Sequence, residues 1–204
     1  MRRIGITGGI ACGKSEVTRR LRELGAAVTD ADAISRVLTA EGGEALGEIR
    51  RAFGLSYFDE QDRLNRRKLA QTVFADSSAR KTLEDILHPL VRAQIERELA
   101  AFEAAGNAVA FLDVPLLYEA GMEALCDSVW VVDAPREAQL RRLAGRDGLT
   151  EEEAEVRMLN QMPTREKAER ADTVLRNDGS LCALRRQVTE HYQNAVRSAA
   201  GEEG

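Results

Sequence analysis

Residues 8–15 read Gly-Gly-Ile-Ala-Cys-Gly-Lys-Ser, a full match to the spacing GxxxxGK[ST]. Residues of these types at this spacing suit a chain of phosphates. Glycines let the backbone take positive φ and turn its N–H groups inward as an anion nest. A helix opening at the end of the loop aims its positive end at the same phosphates. Lys14 bridges the outer phosphates, and Ser15 offers a hydroxyl to Mg²⁺. The context agrees, because the apolar run Ile4-Gly5-Ile6-Thr7 precedes the loop and a helix-like run, 16–24, follows it. The expected chemistry is binding of ATP with magnesium and transfer of the γ-phosphoryl group to a small-molecule hydroxyl. Cys12 lies inside the loop at a helix N-terminus, a setting that lowers a thiol's pKa, so oxidation sensitivity is a secondary expectation.

Such a loop does not by itself separate kinases from GTPases or motor ATPases, although no NKxD guanine signature is present. A second β-type run ends in Asp30-Ala31-Asp32. Extended geometry puts both carboxylates on one side, at a strand end of the kind that lines the crevice of an open α/β sheet. A carboxylate there accepts a hydrogen bond from an acceptor hydroxyl and takes its proton. Asp30 suits equally a cap for a helix starting near residue 33, whereas Asp32 favours the catalytic reading. Asp113 closes a third run in a Walker-B-like place, where it holds Mg²⁺, touches the acceptor, or caps a turn. Arg142 and Arg146 stand four apart, on one helical face. They form either a phosphate clamp or a solvated stripe paired with Glu137 or Asp147. His88-Pro89 reads as a helix break. Asn177-Asp178-Gly179 either borders the adenine of ATP or makes an ordinary turn.

The elements that must position these groups are legible as five β-type runs, 3–7, 27–29, 108–112, 128–132 and 173–175, several of them continuously apolar. That pattern belongs to strands covered on both faces, so the fold expected is α/β with a doubly wound, five-stranded parallel sheet of P-loop NTPase type flanked by helices. The whole of 1–204 reads as one unit with its core at 1–32, 108–138 and 168–197. Residues 33–107 far exceed a crossover and carry helical runs at 45–53, 67–74, 79–87 and 91–105, the pattern of an acceptor-binding insertion. Residues 139–167 are charged and helical, suited to a lid. There Thr150 and Glu153 make a capping box that starts a helix at Glu151, and Pro163 marks its stop. The small, acidic tail 198–204 is expected to fray.

The chain has 204 residues, 44% hydrophobic and 31% charged, with a net charge of −5 despite 29 Lys and Arg. That balance argues against a nucleic-acid surface. No run is long and apolar enough for a membrane span, and no secretory leader is expected. Cys12, Cys126 and Cys182 have no disulfide or zinc spacing, which fits a reducing cytoplasm.

Several pieces together resemble the dephospho-coenzyme A kinase family. They are the loop, the Val28-Thr29-Asp30-Ala31-Asp32 strand end, His88-Pro89-Leu90-Val91, Asp113-Val114-Pro115-Leu116-Leu117-Tyr118-Glu119, Gln139 through Arg142 with Arg146-Asp147, Arg157, Gln161, and Ala171-Asp172 through Asn177. They follow in family order over nearly the whole chain. The resemblance implies ATP-dependent phosphorylation of the ribose 3′-hydroxyl of dephospho-coenzyme A, with the product coenzyme A; a monomer or weak oligomer is expected. It implies Asp32, Lys14 and Arg142 as catalytic residues. ATP would lie on Gly8, Gly9, Ala11, Cys12, Gly13, Lys14, Ser15 and Glu16 with Arg146 and Asn177. The acceptor would meet Asp32, His88, Arg92 and Asp113, and the metal Ser15 and Asp113. Glu119 is expected as a structural hydrogen-bond partner. The loop departs from the family's GGIGSGKST at Ala11, Cys12 and Glu16. Ala11 has to avoid a glycine-only conformation, and the Glu16 charge suits the helix end but opposes phosphate. Another small P-loop kinase, for a nucleoside, nucleotide or shikimate-like acceptor, and an ATP-dependent switch are the alternatives.

Overall fold

The computed structural model describes residues 1–148 and 150–201, so the part of the expected fraying tail at 202–204 lies outside the described residues. Five strands form one parallel sheet: β1 (Arg2–Gly8), β2 (Ala27–Asp30), β3 (Val109–Asp113), β4 (Ser128–Asp133) and β5 (Thr173–Arg176). Their order is β2-β3-β1-β4-β5, with β1 parallel to both β3 and β4, and β5 parallel to β4. All five β-type runs of the sequence are found within a residue or two of their expected ends.

The central strands earn their continuous hydrophobicity from burial on both faces. Every residue of β3 is buried, and so are the last five of β1. Ile4, Ile6, Val109, Phe111, Trp130 and Val132 alternate along their strands onto one face. There they meet Val17 and Leu21 of α1 (Lys14–Glu23) and Leu184 and Val188 of α9 (Leu181–Ala199). Phe111 and Trp130 stack edge-on with centroids 5.1 Å apart. Each such side chain contributes about 1.5–3 kcal/mol by leaving water.

Chain contacts divide the molecule into two compact units, one of Met1–Thr29 with Leu99–Gly204 and one of Asp30–Glu98. The first holds the sheet, α1 and α9, and also α6 (Arg136–Asp147), α7 (Glu151–Leu159) and α8 (Thr164–Glu169). The capping box at Thr150 and Glu153 is present, with Thr150 Oγ1 accepting from Glu153 N and Glu153 Oε2 from Thr150 N. Pro163 marks a start rather than a stop: α7 ends at Leu159, and Pro163 precedes the first residue of α8, where its fixed φ suits a helix entry.

The second unit contains α2 (Ala31–Leu38), α3 (Leu46–Phe53), α4 (Arg66–Ala75) and most of α5 (Ser77–Ala104). Its only described strand-like feature is an isolated bridge between Phe58 and Leu64. Two expectations are corrected here. His88-Pro89 is not a helix break, because α5 runs through Pro89 as one 28-residue helix. A proline removes one backbone bond, but Val91, Ile95 and Leu99 supply a buried stripe at fourfold spacing that holds the helix in place. Asp30 and Asp32 do not share an extended face, since the helix begins at Ala31 and not near residue 33. Asp30 caps it, accepting from Ala33 N at 2.9 Å, and Asp32 occupies the first helical turn.

Among the described residues, no helix is long and apolar enough to cross a membrane.

Candidate active site

The loop between β1 and α1 is shaped by two residues in left-handed conformation, Gly13 (φ 99°) and Ala11 (φ 58°). Ala11 therefore does not avoid that region. Its φ lies where an L-residue is disfavoured by about 1–2 kcal/mol but not forbidden. Two side chains hold the carbonyls that this turn pushes outward. Arg142 Nη1 of α6 donates to Ala11 O at 3.1 Å, and buried Asn177 Nδ2, just past β5, donates to Cys12 O at 2.8 Å. Arg142 Nη2 also donates to Asn177 O at 3.4 Å, which ties the two clamps together. Within the turn Cys12 N donates to Gly9 O at 3.1 Å and Glu16 N to Gly13 O at 3.0 Å, which leaves the amides of Gly13, Lys14 and Ser15 for an anion.

Lys14 forms an ion pair with Asp113 at the tip of β3. The second Asp113 oxygen accepts from Thr18 Oγ1 at 2.7 Å. Asp113 is only 4% exposed, so its charge is held by these two partners inside the protein. Ser15 is exposed in the first turn of α1. The Glu16 carboxylate does not stand bare against a phosphate, as it accepts from Arg19 Nε at 3.0 Å and from Arg185 Nη1 at 3.1 Å. Cys12 is buried, and burial pushes its thiol pKa up; the hydrogen bond from Thr164 only partly offsets this. Burial thus opposes the thiolate that a helix N-terminus would favour.

On the other side of the loop stands the N-terminus of α8. Gly9 is needed there, since a Cβ would run into Thr164 Oγ1 and come within 3.2 Å of Gln139 Oε1. A cavity of about 400 Å³ opens beside this contact, between Gly9, the start of α6 and residues 158–165. Gln139 lines it and is 3% exposed. Its amide nitrogen donates to Ala134 O at 2.8 Å, while its oxygen has no partner among the described residues.

Glu119 is a structural partner, as the sequence led one to expect. It pairs with Lys167 at 2.8 Å and accepts from Met162 N at 3.0 Å. Arg146 is exposed on α6 in the last turn, one turn beyond Arg142, and the side chain of Asp147 lies outside the described residues. In the second unit, Asp32 is exposed, and His88 and Arg92 are half-buried one turn apart on α5. The structure thus brings Gly8–Ser15, Asp113, Arg142 and Asn177 together in the first unit and sets Asp32, His88 and Arg92 in the second.

Sequence reasoning missed Thr18 and Lys167. Thr18 had a signal, being one helical turn after Lys14 on the same face. Lys167 had none, because nothing in a charged segment marks which cation will be buried.

A parallel sheet of this order, with an anion-nest loop after its central strand and a lysine–aspartate pair at its tip, defines a P-loop kinase. The family model described as Dephospho-CoA kinase matches residues 2–183. The chain is 50% identical over 184 residues to the dephospho-CoA kinase of Anaeromyxobacter dehalogenans, covering 90% of this chain and 87% of that one. It is 47% identical over 204 residues to that of Symbiobacterium thermophilum, covering 100% and 84%. Among solved structures, dephospho-CoA kinase from Campylobacter jejuni superposes with a TM-score of 0.74 at 30% identity, covering 97% of this chain and 99% of that one. TT1252 from Thermus thermophilus does so with 0.80 at 39%, covering 95% and 97%. The chain belongs to the dephospho-CoA kinase family.

Proposed function

We propose that this protein transfers the γ-phosphoryl group of ATP to the ribose 3′-hydroxyl of dephospho-coenzyme A, giving coenzyme A and ADP. The observation that carries this reading is the loop 8–15 with Lys14 paired to buried Asp113, in a chain of this family.

Gly8, Gly9, Ala11, Cys12, Gly13, Lys14, Ser15 and Glu16 line the phosphates, with the amides of Gly13, Lys14 and Ser15 turned to them, and Lys14 follows charge as it moves from γ to β. The 3′-oxygen attacks the γ-phosphorus, the bond to the β,γ-bridging oxygen breaks, and ADP leaves. Asp32, exposed in the first turn of α2, accepts the hydroxyl proton. His88 and Arg92, one turn apart on α5, bind the acceptor within an acceptor lobe formed by 33–107, and Asp113 is a further acceptor-binding residue. Residues 139–167 act as the lid, where Arg142 and Arg146 flank the nucleotide and exclude water. Asn177 borders the adenine while holding Cys12 O.

The donor set fits magnesium. Ser15 and Asp113 offer only oxygens, and among the described residues no group of three or more His, Cys, Asp or Glu could form a protein-only cage. A magnesium ion of this kind takes few protein ligands and completes its shell with phosphate and water. Ser15 would bind it directly and Asp113 through water; when bound, it neutralises charge on the β- and γ-phosphates. The free thiols Cys12, Cys126 and Cys182 suit a cytoplasmic setting.

A coupled ADP-release assay across a panel of acceptors tests the assignment. Dephospho-coenzyme A should stimulate turnover above nucleosides, nucleotides and shikimate, and indifference to it removes the named substrate.

A further inference from the structure

Lys167 is the one described lysine with no exposed surface at all, and the roles above do not use it. An ammonium group out of water needs close acceptors. Both of its acceptors belong to the turn that follows Asp113: Glu119 Oε1 at 2.8 Å and Pro115 O at 3.1 Å. The same turn is pinned from β1, because Thr7 Oγ1 donates to Pro115 O at 2.8 Å and Val114 N to Ile6 O at 3.0 Å. Glu119 also accepts from Met162 N, immediately before Pro163 and α8. At the far end of α8, Tyr118 Oη donates to Arg170 O at 3.1 Å, and the Arg170 guanidinium lies 4.1 Å above the Tyr118 ring.

A single buried charge therefore joins three pieces of the phosphate site. These are the strand that feeds the loop, the turn that aims Asp113, and the helix whose first residue abuts Gly9 and Cys12. We propose that Lys167 is a positioning residue for phosphoryl transfer, clamping the Asp113 turn to α8 so that Asp113 and Lys14 stay aligned. Lys167 itself touches neither phosphate nor acceptor. On this view the end of the 139–167 segment, from Met162 into α8, stays seated against the turn, and only the part of the lid before Met162 moves. This rests on the kinase reading given above.

The test is the double variant Lys167→Met/Glu119→Gln, which removes the buried ammonium together with its partly exposed carboxylate partner and so leaves neither ion unpaired. The wild-type protein with dephospho-coenzyme A runs beside it. If the wild type does not turn over, the kinase reading fails independently of this one. With an active wild type, the variant is expected to lose about ten- to a hundredfold in kcat, as small misalignments of catalytic groups do. Its KM for ATP should stay within about threefold, because the loop amides are untouched. ADP release without acceptor phosphorylation should rise as a share of turnover. An unchanged kcat, or equal losses in kcat and ATP affinity, overturns the proposal. If the double variant does not fold by circular dichroism, Glu119→Gln alone decides. It retains an acceptor for Met162 N and weakens only the ion pair, so the same split at lower amplitude supports the role, and wild-type kcat overturns it.

Discussion

The phosphate side of the molecule and the second unit carry the groups proposed for binding and transfer in opposite ways. Around the loop, several charged and polar side chains are deep and held by partners. Asp113 lies between Lys14 and Thr18, Asn177 is bound to Cys12 O, and Lys167 is enclosed. In the second unit, Asp32 is exposed on a helical turn, and His88 and Arg92 sit half-buried on a long helix. A phosphate chain is the same in every turnover, so its cradle gains from being rigid before the ligand arrives. An acceptor must be admitted, recognised and released, which calls for accessible groups on elements with fewer internal ties.

That contrast can be broken most decisively at Lys14. Lys14→Ala should lower kcat by about a thousandfold or more with the circular dichroism spectrum unchanged, and near-normal turnover would contradict the loop assignment. Asp32→Asn, on the accessible side, should reduce kcat by about a hundredfold or more while ATP affinity by calorimetry stays near wild type; parallel losses in both would place Asp32 outside proton transfer. Asn177→Ala removes a buried hydrogen bond to the loop. About 1–3 kcal/mol rides on such a group, so the KM for ATP should rise about tenfold, more than the KM for the acceptor. Arg92→Ala should show the reverse, a rise of about five- to tenfold in acceptor KM with ATP unaffected. If Asn177→Ala and Arg92→Ala shift the same constant, the division of labour is wrong.

The smallest effect concerns stability. Burial raises the Cys126 thiol from its ordinary value of 9.0 to about 12. The unfolded chain then loses its proton first, so stability is intact below about pH 9 and falls as pH climbs toward 12. Cys126→Ala should flatten that decline in Tm measured between pH 8 and 10.5. An identical slope in both proteins rules out this thiol as the cause.

The boundaries of that comparison were not equally legible. The loop was visible because its function constrains consecutive residues: glycines, lysine and serine must follow one another for the backbone to wrap an anion. The strands were visible because double burial imposes unbroken apolar runs. Pro89 misled because proline reports only a lost hydrogen bond, while the Val91–Ile95–Leu99 stripe that keeps α5 whole acts through packing. Asp30 and Asp32 misled because the helix begins at Ala31, two residues earlier than expected, and this changes which way each side chain points.

Local order therefore belonged to the sequence: the anion nest, the capping box at Thr150, the alternation of strands and helices, and the family to which they add up. Which distant groups would meet was left to the tertiary structure. It chose Asp113 for Lys14, Arg142 for the carbonyl of a strained Ala11, Asn177 for that of Cys12, and Lys167 for the turn beyond Asp113. The physical reason is that a buried charge or carbonyl is satisfied by whichever partner the packed chain brings within about 3 Å. No spacing along the polypeptide encodes that meeting.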